Sequence, residues 1–123
     1  MSHRRSRLGQ QGEELACTHL QGLGYRIVAR NYRGRYGEID LIAEEANTLV
    51  FIEVKTRKGE SDEEPLENIS SHKCRQISKL ALYYMSELGS EECAVRFDVV
   101  GITLRGEAEA EIEVVRDAFD LTY

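Results

Sequence analysis

The chain has 123 residues, a net charge of −6 at pH 7 and 41% hydrophobic residues, enough for one domain that buries well over half of its unfolded surface. It has no apolar run long enough to span a bilayer and no apolar segment behind its charged start, so neither a membrane span nor a signal peptide is expected, and a cytoplasmic protein is. Cys17, Cys74 and Cys93 are scattered and form no CxxC, which argues for reduced thiols in or near a core and against a thiolate metal site.

Charge is divided unevenly along the chain. Residues 1–58 carry 10 Lys and Arg against 7 Asp and Glu, and residues 59–123 carry 6 against 15. The basic half hints at a polyanion contact, and the acidic half reads as a solubilising surface. Residues 1–8, with His3, Arg4, Arg5 and Arg7, are expected to form a flexible basic arm.

Gln10 to Leu23 should be a helix, because Gly12, Leu15, Ala16, Leu20 and Leu23 make one stripe at helical spacing and Gly24 follows as a stop. Glu13 falls on the side of Ala16, Cys17 and Leu20, whereas Glu14 falls with Thr18 and Gln21 toward water. A carboxylate at the edge of a buried stripe needs a partner; the competing reading is a first-turn glutamate that favours the helix dipole. Tyr25 to Tyr32 reads as the first strand, with Tyr25, Ile27, Ala29 and Asn31 on one face and Arg26, Val28, Arg30 and Tyr32 on the other. Arg30, Arg33 and Arg35 are interleaved with Tyr32 and Tyr36, a mixture that can hold phosphates and stack on bases or simply make a charged turn.

Two apolar-rich runs follow, Glu38 to Ala43 and Leu49 to Val54, with Ala46 and Asn47 between them, and the pair reads as a β-hairpin. An even-length loop sets Glu44 opposite Leu49, Ile42 opposite Phe51 and Asp40 opposite Glu53. Lys55, two residues beyond Glu53, shares their face. Opposed like charges destabilise a sheet, and a hard divalent cation between the carboxylates would resolve the conflict.

Residues 59–70 are acidic, contain Pro65 and show no periodicity. A connection this long is expected to be a mobile loop near the cleft. Ser71 to Leu88 is the second helix, with Cys74, Ile77, Ala81, Tyr84 and Leu88 facing the core and Gly89 ending it. Lys73 and Gln76 lie in its first turns, where an anion would be favoured, although a solvated polar face explains them as well. Ala94 to Leu104 is a strand whose Asp98 either supports the carboxylate cluster or, as the favoured reading, pairs with a nearby cation. Glu107, Glu109, Glu111 and Glu113 alternate in the manner of a charge-protected edge strand. Three strands close in sequence, a helical crossover and a fourth strand parallel to the third give a mixed five-stranded α/β sheet flanked by helices.

Asp40 followed by Glu53-x-Lys55 on the next strand resembles the PD-(D/E)xK nuclease motif. Together with Gly12-Glu13, Arg30-Asn31-Tyr32-Arg33, the GEIDLI run at 37–42, the FIEVKTR run at 51–57 and the RFDVV run at 96–100, it resembles the YraN-like family of small bacterial proteins over about residues 9–104. The resemblance implies a restriction-endonuclease-like αβββαβ core related to archaeal Holliday junction resolvases. It implies a metal-dependent DNA nuclease acting on branched or repair intermediates, with a homodimer expected by analogy. On that reading Asp40 and Glu53, with the backbone carbonyl of Val54, hold Mg²⁺ or Mn²⁺. Lys55 orients the attacking water, Glu13 supports a second cation or a bound water, and Arg30, Arg33, Arg35, Arg57, Lys73 and Gln76 contact nucleic acid. The alternative is a non-catalytic nucleic-acid or repair-complex adaptor that keeps the fold, since fold alone does not fix function.

Overall fold

The computed structural model describes residues 7–35, 37–59, 68–89, 93–106 and 109–122. Most of the acidic connection (60–67), the first six residues of the basic arm, and Tyr36 and Glu107 lie outside the described residues. The elements run α1 (Arg7–Gly22), β1 (Arg26–Gly34), β2 (Gly37–Glu45), β3 (Thr48–Lys58), α2 (Ser71–Leu88), β4 (Ala94–Arg105) and β5 (Glu109–Val115). One sheet holds the strands in sequence order. β1–β2 and β2–β3 are antiparallel, β3–β4 parallel through the α2 crossover, and β4–β5 antiparallel. This is the mixed five-stranded sheet that the sequence pattern predicts. Arg7 and Leu8, expected in the flexible arm, belong to α1.

The two helices lie on opposite faces, as the alternation along the strands demonstrates. Leu41, Ala43, Val50, Ile52, Val100 and Ile102 pack with Ala16, Cys17 and Leu20 of α1. Their sequence neighbours Ile42, Leu49 and Phe51 pack instead with Ile77, Leu80, Ala81 and Met85 of α2. A sheet covered on both faces needs near-continuous apolar strands in its centre, which is what β3 supplies from Leu49 to Ile52.

From Glu45 to Leu41 the hairpin register is the expected one, with Glu44 opposite Leu49 and Ile42 opposite Phe51 across a two-residue turn at Ala46 and Asn47, but the ladder ends before the expected Asp40–Glu53 pair. Ala46 takes a left-handed φ of 54°, a place where alanine is disfavoured, so the burial of the two strands, and not the turn, sets the register. At the start of α2 the Ser70 side chain accepts from the Lys73 amide at 3.1 Å. At its end Gly89, with φ 70°, sends its N–H back to the Met85 and Ser86 carbonyls.

Two residues of the predicted helix stripes do not reach the core. Leu23 is 47% and Leu88 53% exposed, because both stand at or past the last helical turn, where the sheet no longer lies beneath them. Leu80 and Met85 are buried instead. The predicted faces of β1 also fail, at its start and again near Asn31. The pairing slips between Ile27 and Ala29, a bulge that sends Val28 and Ala29 to the same side. The C-terminal tail closes the α2 side: Phe119 stacks on Phe97 at 4.9 Å, and the Thr122 amide donates to Ser78 Oγ at 2.9 Å.

Candidate functional site

The most irregular part of the sheet surrounds Asp40. The β2–β3 ladder runs from Glu45↔Thr48 to Leu41↔Ile52. One step further, the Val54 amide donates to Asp40 Oδ2 at 2.8 Å, where a continuing ladder would offer a β2 carbonyl. The carboxylate of Asp40 therefore lies against the peptide group that joins Glu53 to Val54. In β1 the residue opposite is Asn31, since Arg30 pairs with Leu41 and Tyr32 with Ile39.

Asn31 has a φ of 53°, a backbone region that asparagine tolerates better than most residues. Both strands slip in phase at this rung. Ala29 and Tyr32 share the α2 side, as do Ile39 and Ile42, although residues an odd number apart should face opposite ways. The slip frees the Asn31 side chain to donate to Glu13 Oε1 at 2.9 Å.

Glu13 reaches that position because α1 lies very close to β3. A Cβ at Gly12 would meet Thr56 Oγ1 at 1.8 Å, so only glycine fits. As expected from the helical stripe, Glu13 is buried, at 4% exposure, and Glu14 is exposed. The polar contacts thus connect α1, β1, β2 and β3 at one level of the sheet.

Glu53 and Lys55 occupy the α2 side of β3, since Ile52 and Val54 pack toward α1. The ammonium beside Glu53 is not the one expected. Lys73 of α2 approaches Glu53 Oε2 at 3.4 Å, while Lys55 donates to the Asn68 carbonyl at 3.4 Å, just before α2. Lys73, read from the sequence as a nucleic-acid contact, therefore sits on a candidate metal-binding carboxylate. Arg57 continues the same face and donates to Thr103 Oγ1 of β4 at 3.3 Å.

The donors available to a cation are carboxylate oxygens of Asp40 and Glu53, with the Val54 carbonyl on the same peptide run. That set fits Mg²⁺, which uses one or two carboxylates and completes its shell with water and phosphate oxygens. Among the described residues no group of three or more His, Cys, Asp and Glu could hold a metal ion, so a site here would consist of two carboxylates. Glu13 is held apart on α1 by Asn31 and would act through water.

The remaining basic residues divide between the faces. Arg30 turns to α1 and donates to Glu14 at 2.8 Å; this hydrogen bond outweighs the lowering effect of burial and holds its pKa above the usual value. Arg33, at the end of β1, donates to Glu38 at 3.4 Å. Arg35 is exposed and has no ion-pair partner among the described residues. Gln76 stands on α2 facing the β1–β2 turn, its side chain 3.9 Å from where a Cβ at Gly37 would lie. Sequence reasoning missed Asn31 as the partner of Glu13 and Thr56 as the surface that receives Gly12. An asparagine inside a strand was the available signal for the first; nothing local pointed to the second.

A second polar cluster lies at the β4 entry. Asp98 is fully buried and accepts from Tyr25 Oη at 2.7 Å, Arg96 Nε at 2.8 Å and the Asp117 amide at 2.9 Å. Its pairing with Arg96 fulfils the expectation of a nearby cation. Burial and the Asp98 carboxylate push the Tyr25 phenol up to about 12. Glu45 bridges Arg96 and Arg116 at 2.7 and 2.5 Å. Burial raises its pKa, but the hydrogen bonds and charges of the two arginines outweigh this and hold the carboxyl below its ordinary range.

No helix among the described residues is long and apolar enough to cross a membrane. Residues 12–102 match the model described as "Uncharacterised protein family UPF0102". The chain is similar to a UPF0102 protein of Geotalea uraniireducens, 46% identical over 116 residues that cover 94% of this chain and 91% of the relative. It is also similar to a UPF0102 protein of Geobacter sulfurreducens, 43% identical over 122 residues covering 99% and 95%, and to one of Rhodococcus jostii, 47% identical over 112 residues covering 91% and 95%. The matched span starts at the glycine that seats α1 on β3 and takes in Glu13, Asp40, Glu53 and Lys55; the chain belongs to the UPF0102 family.

Proposed function

We propose that the protein is a metal-dependent DNA nuclease of the PD-(D/E)xK type, acting on branched or repair intermediates. The observation that supports the reading is the contact of the Asp40 carboxylate with the Val54 amide, on the peptide that follows Glu53, where the β2–β3 ladder stops. Asp40 and Glu53 would hold a magnesium ion, which when bound polarises a phosphate and lowers the pKa of a water. Lys55 would orient the attacking water and offset charge developing on the phosphate oxygens. Glu13, fixed by Asn31, would order water at the edge of the site. Arg57 and Gln76 lie on elements that flank this opening and would contact the DNA backbone.

One observation favours a different reading. Lys73 already neutralises Glu53, so the cluster could be an ion-paired part of a DNA-binding adaptor that needs no metal. The two readings separate in a titration. Under the nuclease reading, added Mg²⁺ or Mn²⁺ raises the melting temperature of the wild type, because a ligand that binds only the native state stabilises it. Asp40→Asn loses most of that rise while remaining folded. On flapped, four-way, duplex and single-stranded DNA, the wild type cleaves at least one substrate. Under saturating metal, Lys55→Met lowers single-turnover cleavage by about 10²–10³-fold, as loss of one transition-state donor does. No metal-dependent stabilisation and no cleavage of any substrate would leave the adaptor.

A further inference from the structure

The end of β1 and the outer side of α2 enclose a groove of about 450 Å³ lined by Tyr32, Arg33, Arg35, Leu80, Tyr83 and Glu87, within the size range of small-ligand sites. The Tyr32 ring is fixed there. It meets Tyr84 edge-to-face at 5.1 Å, and its hydroxyl donates to Glu87 Oε1 at 2.6 Å. Burial and the Glu87 carboxylate hold this phenol in its protonated, donating form by raising its pKa. Tyr83 forms another wall and is 64% exposed. It has no hydrogen bond or ring contact among the described residues. A single exposed tyrosine is ordinary; one that walls a groove opposite a fixed aromatic ring is a stacking surface.

The rim supplies the matching charge. The guanidinium of Arg35, without an ion-pair partner among the described residues, and that of Arg33 stand at the mouth of the groove and suit a phosphate. The Glu87 carboxylate can accept from an exocyclic amine of a base, as acidic side chains do from cytosine N4. The groove also leads toward the candidate site. Lys73, Gln76, Leu80 and Tyr83 follow one another on α2 at steps of three, four and three residues, so they share one side of the helix. Lys73 touches Glu53. At 1.5 Å per residue, Tyr83 lies about 15 Å along the axis from Lys73, the length of roughly four stacked nucleotides at 3.4 Å each.

We propose that this groove holds an unpaired nucleobase of a DNA strand, stacked against Tyr83 and Tyr32, roughly four nucleotides from the phosphate at the Asp40–Glu53 site. The inference rests on the nuclease reading for its distance and direction. It narrows the substrate class to DNA that carries a single-stranded segment next to the bond to be cut. A base inside a duplex presents only its edges and cannot enter. Tyr83 is thereby assigned as a substrate-binding residue.

The test measures binding with metal chelated, so that it does not depend on turnover. Fluorescence anisotropy compares a short single-stranded DNA with a blunt duplex of the same sequence, and 2-aminopurine in the strand reports stacking. The wild type should bind the single strand more tightly than the duplex and quench 2-aminopurine. Tyr83→Ala should weaken single-strand binding by roughly 5- to 150-fold, the equivalent of one lost stacking contact, remove the quenching and leave duplex binding unchanged. Circular dichroism and thermal melting establish that this variant is folded. Equal single-strand affinity for wild type and Tyr83→Ala, a preference for the duplex, or binding to neither overturns the proposal. Tyr83-dependent binding without cleavage of any DNA under metal would count against the nuclease reading alone. Cleavage that Tyr83→Ala leaves untouched, with unchanged binding, would count against the groove alone.

Discussion

Replacing Gly12 with alanine tests how closely α1 is pressed onto the sheet. An alanine Cβ at this position would lie 1.8 Å from Thr56 Oγ1, 2.8 Å from its Cβ and 2.9 Å from its Cγ2. Rotation about χ1 of Thr56 moves the two outer atoms but cannot remove the contact with Cβ, which is fixed to the β3 backbone. The helix or the strand must therefore shift. Overpacking of this kind costs about 1–3 kcal/mol, and a clash with three atoms argues for the upper half of that range. Alanine's better helix propensity returns about 1 kcal/mol. The net destabilisation is about 1–2 kcal/mol, a fall in melting temperature of roughly 3–10 °C for a chain of this size. Chemical denaturation and thermal melting read both quantities. Adding Thr56→Ala removes two of the three clashing atoms, so the double variant should recover about 1 kcal/mol relative to the sum of the single effects. A Gly12→Ala protein as stable as the wild type, or more stable, would refute the close approach and with it the cause given for the burial of Glu13.

The buried cluster at the β4 entry yields two further predictions. Asp98→Ala leaves Arg96, Tyr25 and the Asp117 amide without their shared acceptor, and should cost about 3–5 kcal/mol in denaturant unfolding; a loss below about 1 kcal/mol would mean that the cluster relaxes into water. The carboxyl of Glu45 has a folded-state pKa held below its ordinary value by Arg96 and Arg116, so its contribution is fully present above the unfolded-state value and is lost as the pH falls through the folded one. Denaturation midpoints followed down from about pH 6 to pH 3 should fall less steeply in Glu45→Gln than in the wild type, and parallel curves would show that Glu45 carries none of the acid sensitivity.

The sheet was legible because its signals are local. Alternation in the GEIDLIA and LVFIEV runs decides which side chains face which helix, and a one-residue slip would invert all of them. That is why Glu44 meets Leu49 even though Ala46 and Asn47 make a poor turn. Glu13 was legible for the same reason, since three- and four-residue spacing placed it with Ala16 and Leu20. The bulge after Ile27 was not, because its cause is a pairing mismatch with β2 that β1 alone does not encode. The tail residues Phe119 and Leu121 carried no periodicity, and their partial burial comes from packing against the core on the α2 side.

The partner of Glu53 shows where local reading ends. Lys55 is two residues away on the same strand face, so a sequence argument assigns it to the carboxylates. Yet the side chain of Lys55 reaches the Asn68 carbonyl, and Lys73, eighteen residues further on, takes the place beside Glu53. The difference follows from the crossover. α2 must return over β3 to reach β4 in parallel, and its first turn is capped by Ser70, so Lys73 is delivered above Glu53 while the chain just before the cap stands above Lys55. A largely buried carboxylate such as Glu53 is costly to leave without a compensating charge. With no metal bound, Lys73 supplies that charge. With a divalent cation on Glu53, the lysine would be released toward the adjacent surface, which on the proposed reading is where the DNA phosphates lie. On that reading the same ammonium would serve both states, and its position on α2 connects the candidate metal site proposed at Asp40 and Glu53 to the groove at Tyr83.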